Sequence, residues 1–215
     1  MKLNQILDHL LGSPSRIRLL RELTLRPHSR SGRALGRDVG LSPPQVHAIL
    51  QDLHHEGVVS LERVGRTYVY RLKRQVAPVA ELLIPLFEKE RDLVDAVTRQ
   101  ILAAVRTPLK SAYLFGSVSK KTDHAESDLD LAFVVKNKSL QEQAEDEFAG
   151  QVADVAQSLG VKLGPYVMTL SDMRRRYREK DPFVRDIFIT GRHLAGATLF
   201  ELVTHVAKKD QNAKA

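Results

Sequence analysis

Two short stretches hold residue types that could act together chemically: Leu114-Phe115-Gly116-Ser117 and Glu126-Ser127-Asp128-Leu129-Asp130-Leu131. A Gly-Ser pair after an apolar run lets backbone amides approach a phosphate closely, and the serine adds a hydroxyl donor. Two aspartates one residue apart on a strand point to the same face. Adjacent carboxylates repel each other, and a divalent cation between them removes the repulsion; oxygen ligands suit Mg²⁺. Taken alone, a Gly-Ser is a turn in most proteins and an Asp-x-Asp is a solvated pair. Together, both flanked by apolar strand-like residues, they read as a site for a metal-bound phosphate chain.

The surrounding pattern must place these residues. Ser111 to Phe115 and Leu129 to Val135 read as strands that end and begin at the two stretches. Leu140 to Leu159 reads as one helix. Val161 to Leu170 reads as a third strand, broken by Gly164-Pro165. Ser171 to Arg178 and Pro182 to Ile189 read as helices, Gly191 to Gly196 as a turn, and a short helix runs on to about Val206. The run Arg174-Arg175-Arg176 with Arg178 reads as a solvated helix face, or else as a phosphate contact near the cleft.

Gly116-Ser117 with Ser127-Asp128-Leu129-Asp130-Leu131 resembles the signature of the DNA polymerase beta-like nucleotidyltransferase superfamily, in particular its minimal prokaryotic members. The resemblance covers about residues 108–170. It implies that Gly116, Ser117 and Ser127 bind the phosphates of an NTP, and that Asp128 and Asp130 bind Mg²⁺ and are catalytic. Two departures stand out. The Gly-Ser continues as Val118-Ser119-Lys120-Lys121-Thr122, which keeps the positive charge and lacks a further glycine. A third carboxylate, usual in active members on a later strand, is absent from Val161–Leu170. Asp172 follows that strand as a helix cap, and Asp154 is a weaker candidate. Two functions stay open: transfer of a nucleoside monophosphate to an acceptor hydroxyl, or a non-catalytic regulator whose second domain senses nucleotide or serves as scaffold.

The first third reads differently. Ser13-Pro14 opens a helix ending near Pro27; Ser31 to Val39 forms a second, closed by Gly40. Ser42-Pro43-Pro44-Gln45 has the form of a capping box and opens a third, with Val46, Ile49, Leu50 and Leu53 inward. Val58–Leu61 and Thr67–Leu72 alternate around a Gly65 loop, as a β-hairpin does. This order resembles the winged helix-turn-helix of many bacterial repressors. The resemblance implies double-stranded DNA as a partner, met by Gln45, His47 and Gln51 on the third helix and by Arg30, Arg33, Arg37, Arg63 and Arg66 around it. Residues 1–75 hold 13 Lys+Arg and 6 Asp+Glu, whereas residues 76–215 hold 20 of each. All of the +7 net charge therefore lies in the unit expected to meet a polyanion.

The expected fold is α+β: a winged helix at 1–75, a helical connector at 76–107, a nucleotidyltransferase-like domain with a mixed sheet and flanking helices at 108–207, and a disordered tail at 208–215. In the connector, Leu82, Leu83, Leu86, Leu93, Val94, Val97, Ile101 and Leu102 recur at helical spacing, with Pro85 as a kink or divide. Its apolar stripe suits a homodimer. The absence of cysteine excludes disulfides and thiolate metal sites. No run suggests a signal peptide or membrane span, so a cytoplasmic location without membrane partners is expected.

Overall fold

The computed structural model describes residues 6–204; the tail at 208–215 and His205 lie outside the described residues. The chain divides into two compact units, Met1–Leu93 and Val94–Ala215.

In the first unit a short helix, α1 (Ile6–Leu10), precedes α2 (Pro14–Leu25). The Ser13 hydroxyl caps α2 by accepting the Arg16 N–H at 3.2 Å, and Pro14 occupies the first turn, where no donor is needed. Strand β1 (Arg30–Ser31) leads into α3 (Gly32–Val39), which ends at Gly40 with φ 67°, a left-handed conformation that glycine adopts without strain. After α4 (Pro43–His55) come β2 (Val59–Val64) and β3 (Thr67–Leu72), paired antiparallel around Gly65. Strand β1 adds to the far side of β3, giving the order β1-β3-β2. This is the winged helix expected from the sequence, with a two-residue strand that its pattern did not reveal. Leu19, Leu20, Leu23, Leu35, Leu50 and Leu53 are fully buried at its centre, each stabilising the unit by about 1.5–3 kcal/mol.

The next helix supplies residues to both cores. Its first turn, Val79–Leu83, is π-helical, with the Ile84 N–H donating to the Val79 carbonyl, and it continues as α5 (Ile84–Ala104). Pro85 explains the wider turn: it has no N–H for the Glu81 carbonyl, and its ring would crowd that oxygen in a regular α-helix. Val79, Leu83 and Phe87 join the first core; Ile101, with Val94 and Val97 beside it, joins the second. Leu82, Leu86 and Leu93 stay exposed.

The second unit is a four-stranded mixed sheet in the order β6-β5-β4-β7. Its members are β4 (Leu109–Leu114), β5 (Leu129–Val135), β6 (Leu163–Thr169) and β7 (Arg192–Gly196). Strand β5 runs parallel to β6 and antiparallel to β4, and β7 pairs antiparallel with β4. The two-residue period of β5 sorts its side chains. Leu129, Leu131 and Phe133 pack on Ala144, Phe148 and Val152 of α7 (Lys138–Ala149) and α8 (Gln151–Ser158). Ala132 and Val134 pack on the opposite face with Met173 of α9 (Leu170–Arg178) and Ile187 of α10 (Pro182–Thr190).

Three expectations need correction. The single helix at Leu140–Leu159 is two, divided at Gly150, whose φ and ψ of −113° fit neither helix nor strand. Gly164-Pro165 does not break the third strand. Strand β6 is an edge, where proline's missing N–H costs no ladder bond. The supposed turn at Gly191–Gly196 contains β7, tied to β4 by its ladder and by the Ser111 hydroxyl donating to the Ala197 carbonyl at 2.6 Å. Among the described residues no helix is long and apolar enough to cross a membrane.

Candidate functional site

Asp130 is the second residue of β5, and its alternation places it on the face opposite Leu129 and Leu131. Two neighbours leave it room. Strand β4 ends beside it, with the Phe115 N–H donating to the Asp130 carbonyl at 3.0 Å, and the chain then turns at Gly116 with φ 71°. A Cβ built on Gly116 would stand 2.9 Å from Asp130 Cγ and 3.1 Å from its Cβ. On the other side the parallel register sets Asp130 opposite Gly164. A Cβ there would stand 2.7 Å from Asp130 Oδ1. The carboxylate is thus fitted between two glycines, and Gly164, read in the sequence as a strand break, is one of its walls.

Gly116 also opens α6 (Gly116–Lys120), so Ser117 lies in a first helical turn rather than a simple loop. This short helix is fastened from outside. Lys120 Nζ pairs with Asp186 of α10 at 2.9 Å, and the Ser119 hydroxyl donates to the Thr190 carbonyl at 2.7 Å. The charge of Lys120, kept after the Gly-Ser, is therefore spent on an acid of this chain. The loop before β5 is closed by Ser127, whose hydroxyl accepts the His124 N–H at 3.0 Å and whose own N–H donates to the His124 carbonyl at 2.9 Å. Ser127 thus shapes the loop that delivers Asp128.

The two carboxylates differ in their surroundings. Asp128 forms an ion pair with Lys162 at 2.9 Å. The Leu129 N–H donates to the Lys162 carbonyl at 2.7 Å, which puts that lysine beside Asp128. Asp130 has no hydrogen-bond or ion-pair partner among the described residues; burial, and then the charge of Asp128, push its carboxyl above the usual carboxylate range. A half-buried acid beside a second acid, with no donor of its own, is a donor set that fits one divalent cation.

No third carboxylate completes the set: among the described residues no cluster of three metal-binding side chains occurs. Asp172 follows the far end of β6. Thr169, which pairs with Val135, stands five residues along the strand from Gly164, about 16 Å away. The Thr169 hydroxyl donates to Asp172 at 2.7 Å, and this bond, then Arg175, holds the carboxyl below its usual range. The expected cap is corrected: the Thr169 hydroxyl caps α9 by accepting the Asp172 N–H at 3.1 Å, and Asp172 stands inside the first helical turn. Asp154 is exposed on α8.

In the first unit, Arg33, Pro43, His47, Arg66 and Tyr68 line one groove between α4 and the hairpin. Arg33, Arg37, Arg63 and Arg66 are exposed, and so are Pro44, Gln45, His47 and Ala48. Two proposed contact residues prove to be engaged. Arg30 is held between Glu22 and Asp38. Gln45 Oε1 accepts the Ser42 N–H at 3.2 Å and the Ser42 hydroxyl at 2.9 Å. Gln51 is half-buried on the same helix. The capping box was legible; that it would occupy a glutamine assigned to base reading was not drawn from it. Sequence reasoning also passed over Tyr68 and Val64, exposed apolar residues of the hairpin.

Residues 99–194 match the family described as Polymerase beta, Nucleotidyltransferase. No curated protein is similar enough to the chain to count as a match. Several solved structures resemble it. The antimony-specific transcriptional repressor AntR is 25% identical over 44% of this chain and 79% of its own, with a TM-score of 0.36. The homodimeric winged helix-turn-helix DNA-binding domain Mb0332 from Mycobacterium bovis is 22% identical over 42% of this chain and 80% of its own, with a TM-score of 0.34. A toxin-antitoxin structure with AMP-PNP is 21% identical over 56% of this chain and 89% of its own, with a TM-score of 0.36.

Opposite stability effects should follow from the fit of Asp130. Because folding raises its pKa, its ionised form is penalised in the fold at neutral pH, and this penalty vanishes below the unfolded pKa. Asp130→Asn should therefore raise the melting temperature at pH 7 without divalent cations, by about 1–3 °C. Gly116→Ala, forced to keep a left-handed φ against Asp130, should lower stability by about 1–3 kcal/mol. Calorimetric melts of both variants at pH 7 check the signs.

Proposed function

Given a winged helix joined to a nucleotidyltransferase domain of the polymerase beta type, we propose that the chain binds double-stranded DNA through the first unit and a metal-bound NTP through the second, and transfers the nucleoside monophosphate to an acceptor hydroxyl. One observation carries the nucleotide reading: the partnerless carboxylate of Asp130, walled by Gly116 and Gly164 beside Asp128. Asp128 and Asp130 would hold Mg²⁺, which when bound would neutralise phosphate charge. Gly116 leaves the backbone open to the phosphates, and the Ser117 hydroxyl donates to one of them. The acceptor oxygen bonds to the α-phosphorus, pyrophosphate leaves, and the acceptor proton passes to solvent, since among the described residues no third carboxylate joins the pair as base. Lys162 competes with the cation for Asp128.

That competition, with the missing third carboxylate, favours a second reading in which the nucleotide is bound and sensed without turnover. Calorimetry with Mg²⁺ and each NTP should show binding to wild type, loss in Asp128→Asn with Asp130→Asn, and tighter binding in Lys162→Ala. Equal binding by wild type and the double variant removes the carboxylates as ligands. Transfer of label from an α-³²P NTP to protein or nucleic acid separates the two readings.

For DNA, phosphate contacts fall to Arg33, Arg37, Arg63 and Arg66, and base reading falls to His47 and Gln51, since Gln45 is engaged within the fold. In a salt titration, Arg63→Ala with Arg66→Ala should weaken binding to all duplexes and lower the salt slope by about two units. His47→Ala should mainly reduce discrimination between preferred and random sites. Absence of duplex binding even at low salt would assign this unit to protein contact instead.

Leu82, Leu86 and Leu93 lie four and seven residues apart, on one side of the helix, and are exposed by 40%, 43% and 58%. They form the face through which the chain pairs as a homodimer. Light scattering at micromolar concentration should give twice the 24.1 kDa chain mass, and Leu86→Glu with Leu93→Glu should give the monomer. A monomeric wild type removes this interface.

A further inference from the structure

The outer side of α9 and α10 holds a second pocket, away from the carboxylates. Tyr177, Arg178, Lys180, Asp181, Arg185 and Phe188 line it, and its volume is about 620 Å³, well within the range of small-ligand sites. Its floor is aromatic: the Tyr177 and Phe188 rings stack with centroids 4.7 Å apart and planes 29° from parallel, and Tyr177 is 44% exposed. Its rim is basic. In the arginine run, Arg174 donates to the Leu202 carbonyl, Arg175 meets Asp172 and Glu179, and Arg176 is bound by Asp181 and Tyr166. Arg178, Lys180 and Arg185 are exposed and have no acidic partner among the described residues. The one acid of the pocket, Asp181, is occupied by the Phe183 and Val184 N–H groups and by Arg176.

The backbone adds to this. Helix α9 closes with the Lys180 N–H on the Tyr177 carbonyl and the Asp181 N–H on the Arg176 carbonyl. That closure needs a left-handed residue and normally uses glycine. Here it uses Lys180 at φ 57°, so a cation stands on the rim at a conformational cost.

We propose that this pocket binds single-stranded nucleic acid. The exposed Tyr177 ring, stacked on the half-buried Phe188, offers a π-face to an unpaired base, and three free cations meet the flanking phosphates. A duplex hides its base faces, and an acidic peptide would use the cations and leave the rings idle. The inference goes beyond the nucleotide reading and stands apart from it. Its interest lies in position: on the same α10, Asp186 and Thr190 hold α6, the helix that begins at Gly116. A strand in the pocket is therefore one helix away from the Gly116–Asp130 site.

The test is fluorescence anisotropy of fluorescein-labelled 12-nucleotide RNA and DNA strands with the full chain. Arg63→Ala and Arg66→Ala are present throughout to suppress binding by the winged helix. The parent should bind in a salt-dependent manner. Arg178→Glu with Arg185→Glu, both exposed and without partners, should weaken binding by about tenfold or more. Tyr177→Ala should weaken it by about fivefold or more, Tyr177→Phe should retain it, and an abasic strand should bind the parent as weakly as an intact strand binds Tyr177→Ala. The charge-reversed variant keeps the test sound if Tyr177→Ala fails to fold. Equal binding by parent and charge-reversed variant, equal binding of abasic and intact strands, or full displacement by polyglutamate at equal charge would each overturn the proposal. NTP calorimetry on the charge-reversed variant reports the nucleotide site separately.

Discussion

A carboxylate cannot be placed near a second carboxylate and partly out of water without something yielding. In the second unit what yields is the backbone around Asp130. The end of β4 takes a left-handed turn at Gly116, and edge strand β6 presents Gly164 at the matching register. Neither position tolerates a side chain without moving the acid. The antiparallel register of β4 on β5 and the parallel register of β6 on β5 are thus both specified at one point. The outer elements then secure the result: α10 holds α6 through Asp186 and Thr190, and β7 covers the free side of β4.

The first unit obeys a different rule. Its first 75 residues carry the whole excess of positive charge, and acids among them consume part of it: Glu22 and Asp38 take Arg30, and Asp52 and Glu56 take Arg16. Arg33, Arg37 and Arg66 remain exposed around the groove beside α4. Polar residues of the third helix are divided in the same way. Gln45 serves the fold, and His47 remains outward. Net charge therefore marks a stretch of the chain, whereas which side chains stay free depends on those the fold engages.

Legibility in the sequence followed the range of the interactions. Helix starts written by a serine and a proline, the alternation of the hairpin, and the apolar run Leu129–Val135 were readable because each is decided by near neighbours. Features decided across the sheet were misread. Pro165 looked like a breaker because a sequence does not say that β6 is an edge. Arg192–Gly196 looked like a turn because its partner Ser111–Leu114 lies some eighty residues earlier. The Gly-Ser and Asp-x-Asp were legible as a candidate site that the fold brings together, yet Gly164 was not, since its place beside Asp130 exists only in the register. The missing third carboxylate was legible as an absence in Val161–Leu170, and Lys162, in that same stretch, took on meaning only beside Asp128.

Lys162 has one more consequence. In many metal sites, acids brought together by folding repel until the ion arrives, so the fold and the ion depend on each other. Here a lysine of the same chain already stands against Asp128. Part of the repulsion is cancelled by a charge that is covalently attached and present from synthesis. The cost of holding Asp128 beside Asp130 without an ion is thereby lowered, by a modest amount because the lysine side chain is 78% exposed.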